Sequence, residues 1–388
     1  MRCSMGLKKV AILGSTGSIG ISTLKIIERF PRSFSVVALS AHNNVALLES
    51  QIKKFHPKCV ALQKEKIADL KKRIGSHCVK ILDSGSEIVS LVNRRDVDVV
   101  VLGIQGRAAL EPFLAAVRCG KIVAPANKEA LVMAGDIIMD EARKHQATII
   151  PVDSEQSAIF QCLDSRDKKE LKKVYLTASG GSLKDVNQAK FDRISVKQIL
   201  AHPRWSMGKK ITVDSATLMN KGLEIIEAMR LFNLPAEKIE VLIHPESIIH
   251  SMVEFCDGTI IAQLGVTDMR IPIQYALTYP KRAETGLPSL DFIKQKSLTF
   301  QKPDFKKFPS LKLCYEVAKK SGSLPSVLNA ANEEAVDAFL KKEIKFSQIY
   351  RIVQKVVRRH KRIKNPNLKM ILESDRWARE QTRKEIDR

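Results

Sequence analysis

Residues 10–20 read Val10-Ala11-Ile12-Leu13-Gly14-Ser15-Thr16-Gly17-Ser18-Ile19-Gly20, and they decide the fold. The first four form a short apolar run suited to a buried strand. Gly14, Gly17 and Gly20 then punctuate a turn, and Leu24, Ile26 and Ile27 follow at helical spacing. A strand, a glycine turn and a helix start leave bare backbone N–H groups where a pyrophosphate can sit. A glycine pattern alone is weak evidence. Its weight comes from its place at the head of an alternating series, with further strands expected at 36–39, 97–102, 122–124 and 148–152. That alternation predicts an α/β protein with an N-terminal Rossmann-like doubly wound sheet.

The carboxyl ends of those strands carry the polar residues, where such a sheet binds ligands. After the second strand come Ser40-Ala41-His42-Asn43-Asn44, with no acid for a ribose diol, which favours NADP over NAD. The 122–124 strand leads into Pro125-Ala126-Asn127-Lys128-Glu129, which reads either as a crevice lining or as a helix cap with a surface lysine. The 148–152 strand delivers Asp153-Ser154-Glu155 ahead of a helix expected from about Ser157. Asp153 and Gln156 could form a variant capping box. If the backbone is still extended, Asp153 and Glu155 point to one side, and with Glu224 they would hold Mg²⁺ or Mn²⁺.

The stretch from His202 to Glu224 is the other focus. Residues 202–210, with Pro203, Trp205, Met207 and Gly208, lack apolar periodicity and read as a lid-like loop. Asp214 and Ser215 suit helix N-caps, and Leu218, Ile225, Met229 and Phe232 continue as an apolar stripe. Asn220, Lys221 and Glu224 share the other face. The bland reading is a surface pair between Lys221 and Glu224. Gly222 weakens it, because a mid-helix glycine implies close approach of something to the backbone. Ser215, Asn220 and Lys221 are donors a phosphate wants, and Glu224 suits a hard cation. Ser179, in a second glycine turn over 178–182, is by itself ordinary.

His244, Glu246 and His250 make a metal set on paper only. Residues 248–264 read as a β-hairpin turning at Asp257-Gly258, whose side chains alternate faces. Helices are expected at 311–320, 325–340, 346–359 and 371–385. The domain division that follows is 1–150 for cofactor binding, 151–287 for metal, substrate and lid, 288–310 as a connection, and 311–388 as a C-terminal helical domain.

The 388 residues suffice for two or three domains with real cores. Seven cysteines without a C-x-x-C pair suggest neither a disulfide framework nor a zinc site. No apolar run approaches a membrane span, and the first strand follows Met1 too closely for a cleaved signal, so a cytoplasmic location is expected. The net charge of +23 raises nucleic-acid binding as a hypothesis. However, residues 341–388 hold 16 basic and 6 acidic side chains on a helical pattern, so Arg358, Arg359, Lys361 and Arg362 read as a solvated face.

Taken together, the chain resembles the 1-deoxy-D-xylulose 5-phosphate reductoisomerase family over nearly its whole length. The resemblance is carried by 14–20, Ala126-Asn127-Lys128-Glu129, Pro151-Val152-Asp153-Ser154-Glu155 and Trp205-Ser206-Met207-Gly208. Val213-Asp214-Ser215-Ala216-Thr217, Met219 through Glu224, His244-Pro245, Ser247 through Ser251, and Asn329-Ala330-Ala331-Asn332-Glu333 carry it further. It implies a homodimer that uses NADPH and a divalent cation (Mg²⁺ or Mn²⁺, with Co²⁺ a third candidate). The reaction turns 1-deoxy-D-xylulose 5-phosphate into 2-C-methyl-D-erythritol 4-phosphate, by skeletal rearrangement to an aldehyde followed by hydride transfer. Neither a nucleic-acid nor a membrane partner is implied.

Carried over by resemblance, Asp153, Glu155 and Glu224 hold the cation, with Glu155, Glu224 and Lys128 catalytic. Ser179, Ser215, Asn220 and Lys221 hold the phosphate with His202, while Lys128 and Ser154 contact the carbon backbone, and Trp205 and Met207 close the lid. Thr16, Gly17, Ser18, Ile19, Asn44, Asn127, Glu129 and Gly208 become cofactor contacts. His42 and Asn43 depart from the family's usual glycine and basic residue, which weakens strict NADPH selectivity. Pro125, Ala109 and Thr267 also depart, at positions away from the expected ligands. The runner-up is an NADP-dependent sugar-phosphate or semialdehyde dehydrogenase without rearrangement, which would not need three converging carboxylates.

Overall fold

The computed structural model describes residues 6–75, 77–164, 166–200 and 208–388. The chain folds as two compact units, one made of residues 1–130, 138–157 and 268–287, the other of 131–137, 158–267 and 288–388.

The first unit is built on a seven-stranded parallel sheet of β1 (Lys8–Leu13), β2 (Phe34–Ser40), β3 (Cys59–Leu62), β4 (Lys80–Asp83), β5 (Val99–Leu102), β6 (Ile122–Pro125) and β7 (Thr148–Ile149). The order is β4-β3-β2-β1-β5-β6-β7. From β1 the chain winds outward to β4, then returns to lay β5 on the other side of β1. That reversal creates the switch point at which a doubly wound sheet binds ligands. Val99, Val100, Val101 and Leu102 are all buried, as expected of a parallel strand covered on both faces. Helix Arg270–Thr278 packs on helix Ser18–Arg29, and the Lys8 ammonium donates to the carbonyls of Leu277 (3.0 Å) and Tyr279 (3.3 Å).

The second unit has a four-stranded mixed sheet of β8 (Leu171–Ala178), β9 (Ile239–Ile243), β10 (Ile249–Phe255) and β11 (Ile260–Leu264), in the order β11-β10-β8-β9. β10 and β11 form the expected antiparallel hairpin, and Gly258 in its turn has φ +86°. Helices Pro309–Lys320, Leu324–Leu340, Phe346–Arg359 and Leu368–Ile386 lie close to their expected limits. Ile349, Ile352, Val353, Val356 and Val357 are buried, leaving Arg358 and Arg359 in solvent.

Several expectations need correction. The boundary at 150 falls later, because residues 151–157 pack with the first unit, and although a boundary does fall at 287, residues 268–287 before it pack with the first unit as well. Residues 288–310 and 311–388 are not separate either: both belong to the second unit, where the Gln301 backbone pairs with Ile243 of β9. A sheet can recruit an element remote in sequence when that element supplies an apolar helix face, and sequence order does not reveal it. β7 ends at Ile149, and the next helix begins at Ser154, three residues early. Glu155 therefore sits in a first helical turn rather than on extended backbone.

Candidate functional site

At the switch point the backbone itself makes the site. Gly14 has φ +84°, and a Cβ there would lie 2.8 Å from the Gly103 carbonyl oxygen at the end of β5. A Cβ on Gly20 would come within 2.3 Å of Ser15 Cα. Both positions therefore exclude every side chain, which holds the turn against the sheet. Helix Ser18–Arg29 opens at Gly17 with no side-chain cap and no acid in its first turn, so its N-terminus offers donors and positive dipole to an anion. Thr16 is half-buried, Ile19 is likewise, and Gly17 and Ser18 are exposed. Behind the turn, Ser40 accepts the Gly14 N–H through its hydroxyl (2.9 Å) and the Ser15 N–H through its carbonyl (2.7 Å). The buried Gln51 amide accepts the Ser15 hydroxyl (2.7 Å) and donates to the Ser15 carbonyl (2.9 Å). Neither supporting residue was evident from sequence, because Gln51 looks like the polar edge of an ordinary helix.

Asn44 caps helix Val45–Phe55 by accepting the Leu47 N–H (3.1 Å), and beside it the exposed His42 ring meets Gln63 (3.1 Å). Asn127 donates to the Ile104 carbonyl (2.6 Å) and accepts the Glu129 N–H (3.0 Å), joining the ends of β5 and β6. Lys128 is buried, not the surface lysine of the bland reading, and its ammonium lies 2.5 Å from the Asp153 carboxylate. The Ser154 hydroxyl donates to Glu155 (2.6 Å).

In the second unit, the expected single helix capped by Asp214 and Ser215 is instead two. Helix Lys209–Thr217 ends at Leu218, whose left-handed conformation (φ 57°, ψ 13°) turns a corner into helix Met219–Phe232. Asp214 and Ser215 thus occupy a last turn, not a first one. A buried Leu218 side chain holds this corner, at a conformation that leucine alone would avoid. Gly208 starts the first of these helices, its carbonyl accepting the Thr212 N–H (3.1 Å) and hydroxyl (2.9 Å).

Lys221 and Glu224 are buried and directly paired, and Asn220 donates to the same Glu224 carboxylate. A surface pair is therefore ruled out. Gly222 does mark a close approach, but by protein: a Cβ would sit 2.2 Å from Cys314 Sγ on helix Pro309–Lys320. Burial, reinforced by the Asp214 charge, pushes the Cys314 thiol far above its ordinary pKa, so it is an inert spacer. In the turn after β8, Gly181 (φ +69°) would place a Cβ 2.5 Å from the Ser215 carbonyl oxygen, so the loop bearing Ser179 lies against the helix bearing Ser215. His202, Trp205 and Met207 lie outside the described residues.

The discounted set is structural. Buried His244 stacks on Phe300 (4.9 Å between ring centres), contacts the Thr299 carbonyl through Nδ1 (2.9 Å), and accepts the Ile248 and Ile249 N–H groups at Nε2 (3.2 Å each). Both ring nitrogens are thereby occupied.

Of the three expected cation ligands, Asp153 is buried and Glu155 half-buried in the first unit, and Glu224 is buried in the second. Carboxylates are hard oxygen donors of the kind that suits Mg²⁺ or Mn²⁺. A glycine turn at the switch point of a doubly wound sheet and acids of that kind in one chain are features of an α/β oxidoreductase that couples nucleotide chemistry to a metal.

The comparisons narrow that class. Family models described as 1-deoxy-D-xylulose 5-phosphate reductoisomerase, its C-terminal domain, and the DXP reductoisomerase C-terminal domain match residues 10–135, 149–232 and 264–381. The chain is similar to the enzymes of that name from Thermoanaerobacter pseudethanolicus (49% identity, 98% of this chain, 100% of the relative) and Chlorobaculum tepidum (47% identity, 98% and 100%). It also resembles the solved Zymomonas mobilis enzyme in complex with NADPH, with 41% identity, TM-score 0.92, and 98% and 99% of the two chains covered. A solved DOX-P reductoisomerase in complex with NADPH, fosmidomycin and magnesium matches with 40% identity, TM-score 0.93, and 98% of each chain covered. The chain belongs to the 1-deoxy-D-xylulose 5-phosphate reductoisomerase family.

Proposed function

We propose that this chain isomerises and reduces 1-deoxy-D-xylulose 5-phosphate to 2-C-methyl-D-erythritol 4-phosphate with NADPH and a divalent cation. The observation that carries the reading is membership of the reductoisomerase family over nearly the whole chain, at 49% identity across 98% of it. The NADPH and magnesium complexes of solved relatives support it, as do the carboxylates of Asp153, Glu155 and Glu224 as the expected cation ligands. When bound, the cation supplies Lewis acidity to substrate oxygens and NADPH supplies hydride. Ser179, Ser215, Asn220 and Lys221, with His202, bind the phosphate. Lys128 and Ser154 orient the carbon backbone, and Trp205 and Met207 exclude water. Backbone donors at Thr16, Gly17, Ser18 and Ile19 hold the cofactor's pyrophosphate, while Asn44, Asn127, Glu129 and Gly208 complete the cofactor contacts. Lys128 and Lys221 also balance the buried carboxylates, a role consistent with their pairing to Asp153 and Glu224.

We assign the protein to the cytoplasm as a homodimer. The described cysteines are free thiols, three of them exposed, as suits a reducing compartment, and no described helix is long and apolar enough to cross a membrane. Edge strand β11 leaves all five residues, including Ile260, Ile261 and Leu264, exposed or half-buried, so a second copy has a strand to cover. A monomer at micromolar concentration in light scattering would remove that assignment.

The test of function is incubation with 1-deoxy-D-xylulose 5-phosphate and NADPH. Oxidation of NADPH is expected to stop after exhaustive chelation, to return with Mg²⁺ or Mn²⁺, and to yield the branched product by NMR. Undiminished oxidation without metal, or an unbranched polyol phosphate, would instead establish the plain dehydrogenase.

A further inference from the structure

Asp214 precedes the phosphate-site residue Ser215 on helix Lys209–Thr217, yet its carboxylate is 1% exposed. Two groups hold it: the Lys210 ammonium one turn earlier (2.9 Å) and the Asn332 amide nitrogen (2.8 Å) on helix Leu324–Leu340. Asn332 is itself wholly buried, and its amide oxygen has no hydrogen-bond partner. A buried amide that leaves one end unsatisfied is oriented by whatever it meets at the other. Here the meeting point is an anion, which accepts only a donor, so the carboxylate fixes the amide and the amide fixes the helix.

We propose that Asn332 is a positioning residue for the substrate's phosphate group, acting through Asp214 on Ser215. This inference rests on the phosphate role proposed for Ser215. Adjacent residues project from a helix about 100° apart, so clamping Asp214 sets the direction of Ser215. A rotation of about 10° would move a hydroxyl some 5 Å from the axis by roughly 1 Å, enough to take it out of hydrogen-bond range of a phosphate oxygen. The Ser215 carbonyl lies against Gly181, so the helix cannot slide to compensate without striking the Ser179 turn. The C-terminal helical region thereby contributes to substrate recognition across 118 positions of chain.

The test compares wild type with Asn332→Ala, the isosteric Asp214→Asn, and the polarity-reversed double variant Asp214→Asn/Asn332→Asp. Calorimetry of inorganic phosphate binding serves as a readout that needs no turnover. Asn332→Ala is expected to weaken phosphate binding and raise the substrate KM about tenfold, with kcat and NADPH affinity unchanged. Asp214→Asn is expected to show a smaller shift of the same kind, and the double variant to recover to within about threefold of wild type. Lower melting temperature with phosphate affinity and KM at wild-type values would overturn the proposal. So would parallel loss of NADPH affinity. Should Asn332→Ala not fold, wild-type phosphate affinity in Asp214→Asn together with no gain in the double variant would overturn it equally. An inactive wild type that still binds phosphate, more weakly in Asn332→Ala, would sink the proposed reaction but not this inference.

Discussion

The turn proposed for the dinucleotide and the helices proposed for phosphate and cation prepare for charged ligands with opposite materials. The first uses absence: Gly14 and Gly20 are defined by side chains that cannot be there, and support comes from Ser40, Ser15 and Gln51 behind the turn. The second uses presence, with Asn220 and Lys221 donating to buried Glu224, and Lys210 and Asn332 holding buried Asp214. A backbone site should be insensitive to charge and intolerant of volume, and a side-chain site the reverse.

The sharpest way to break that contrast is Glu224→Gln, which changes charge at constant volume. Turnover is expected to fall by about 10³-fold or more, equivalent to about 4 kcal/mol or more, with circular dichroism unchanged. Near-normal kinetics would mean that Glu224 is structural. Gly20→Ala makes the converse change, adding one methyl and no charge. With its Cβ 2.3 Å from Ser15 Cα, the turn must move, so NADPH affinity should drop about tenfold or more while stability falls by about 1–3 kcal/mol. Wild-type NADPH affinity by fluorescence titration would show the turn to be plastic.

Gly222→Ala sharpens the comparison by placing a glycine's constraint inside the side-chain site. It should cost about 1–3 kcal/mol in urea unfolding through contact with Cys314, and adding Cys314→Gly, which removes both the Sγ at 2.2 Å and the Cβ at 2.5 Å, should return part of that. A double variant no better than the single would place the clash elsewhere. The smallest effect concerns His360, whose pKa burial lowers from an ordinary 6.5 and whose Nε2 shares a hydrogen bond with the Ser323 hydroxyl (2.9 Å). A depressed base favours the neutral form in the folded state, so its stabilisation is complete above pH 6.5 and is lost as pH falls through the folded value. Thermal melts should show a modest acid loss of stability in that window, absent in His360→Gln.

The two regions also differed in how far sequence disclosed them. The glycine turn was legible because its constraint is local: strand, glycines and helix start follow within a few residues. The carboxylates were legible as residue types, and their shared role rests on what the resemblance implies. What stayed hidden is what depends on distant chain. Asp214 reads as a cap until Asn332 meets it, Gly222 reads as a ligand approach until Cys314 fills the space, and nothing about a leucine announces the corner at Leu218. The assignment of 268–287 to the first unit escaped for the same reason.

That corner limits transplantation. Were residues 209–232 copied onto a scaffold that did not bury Leu218, nothing would stop the two helices from annealing into one straight rod. Ser215 and Lys221 would then face directions about 120° apart and lie roughly 9 Å from each other along the axis. A graft of this motif must carry the pocket for one leucine along with the polar residues that chemistry would choose.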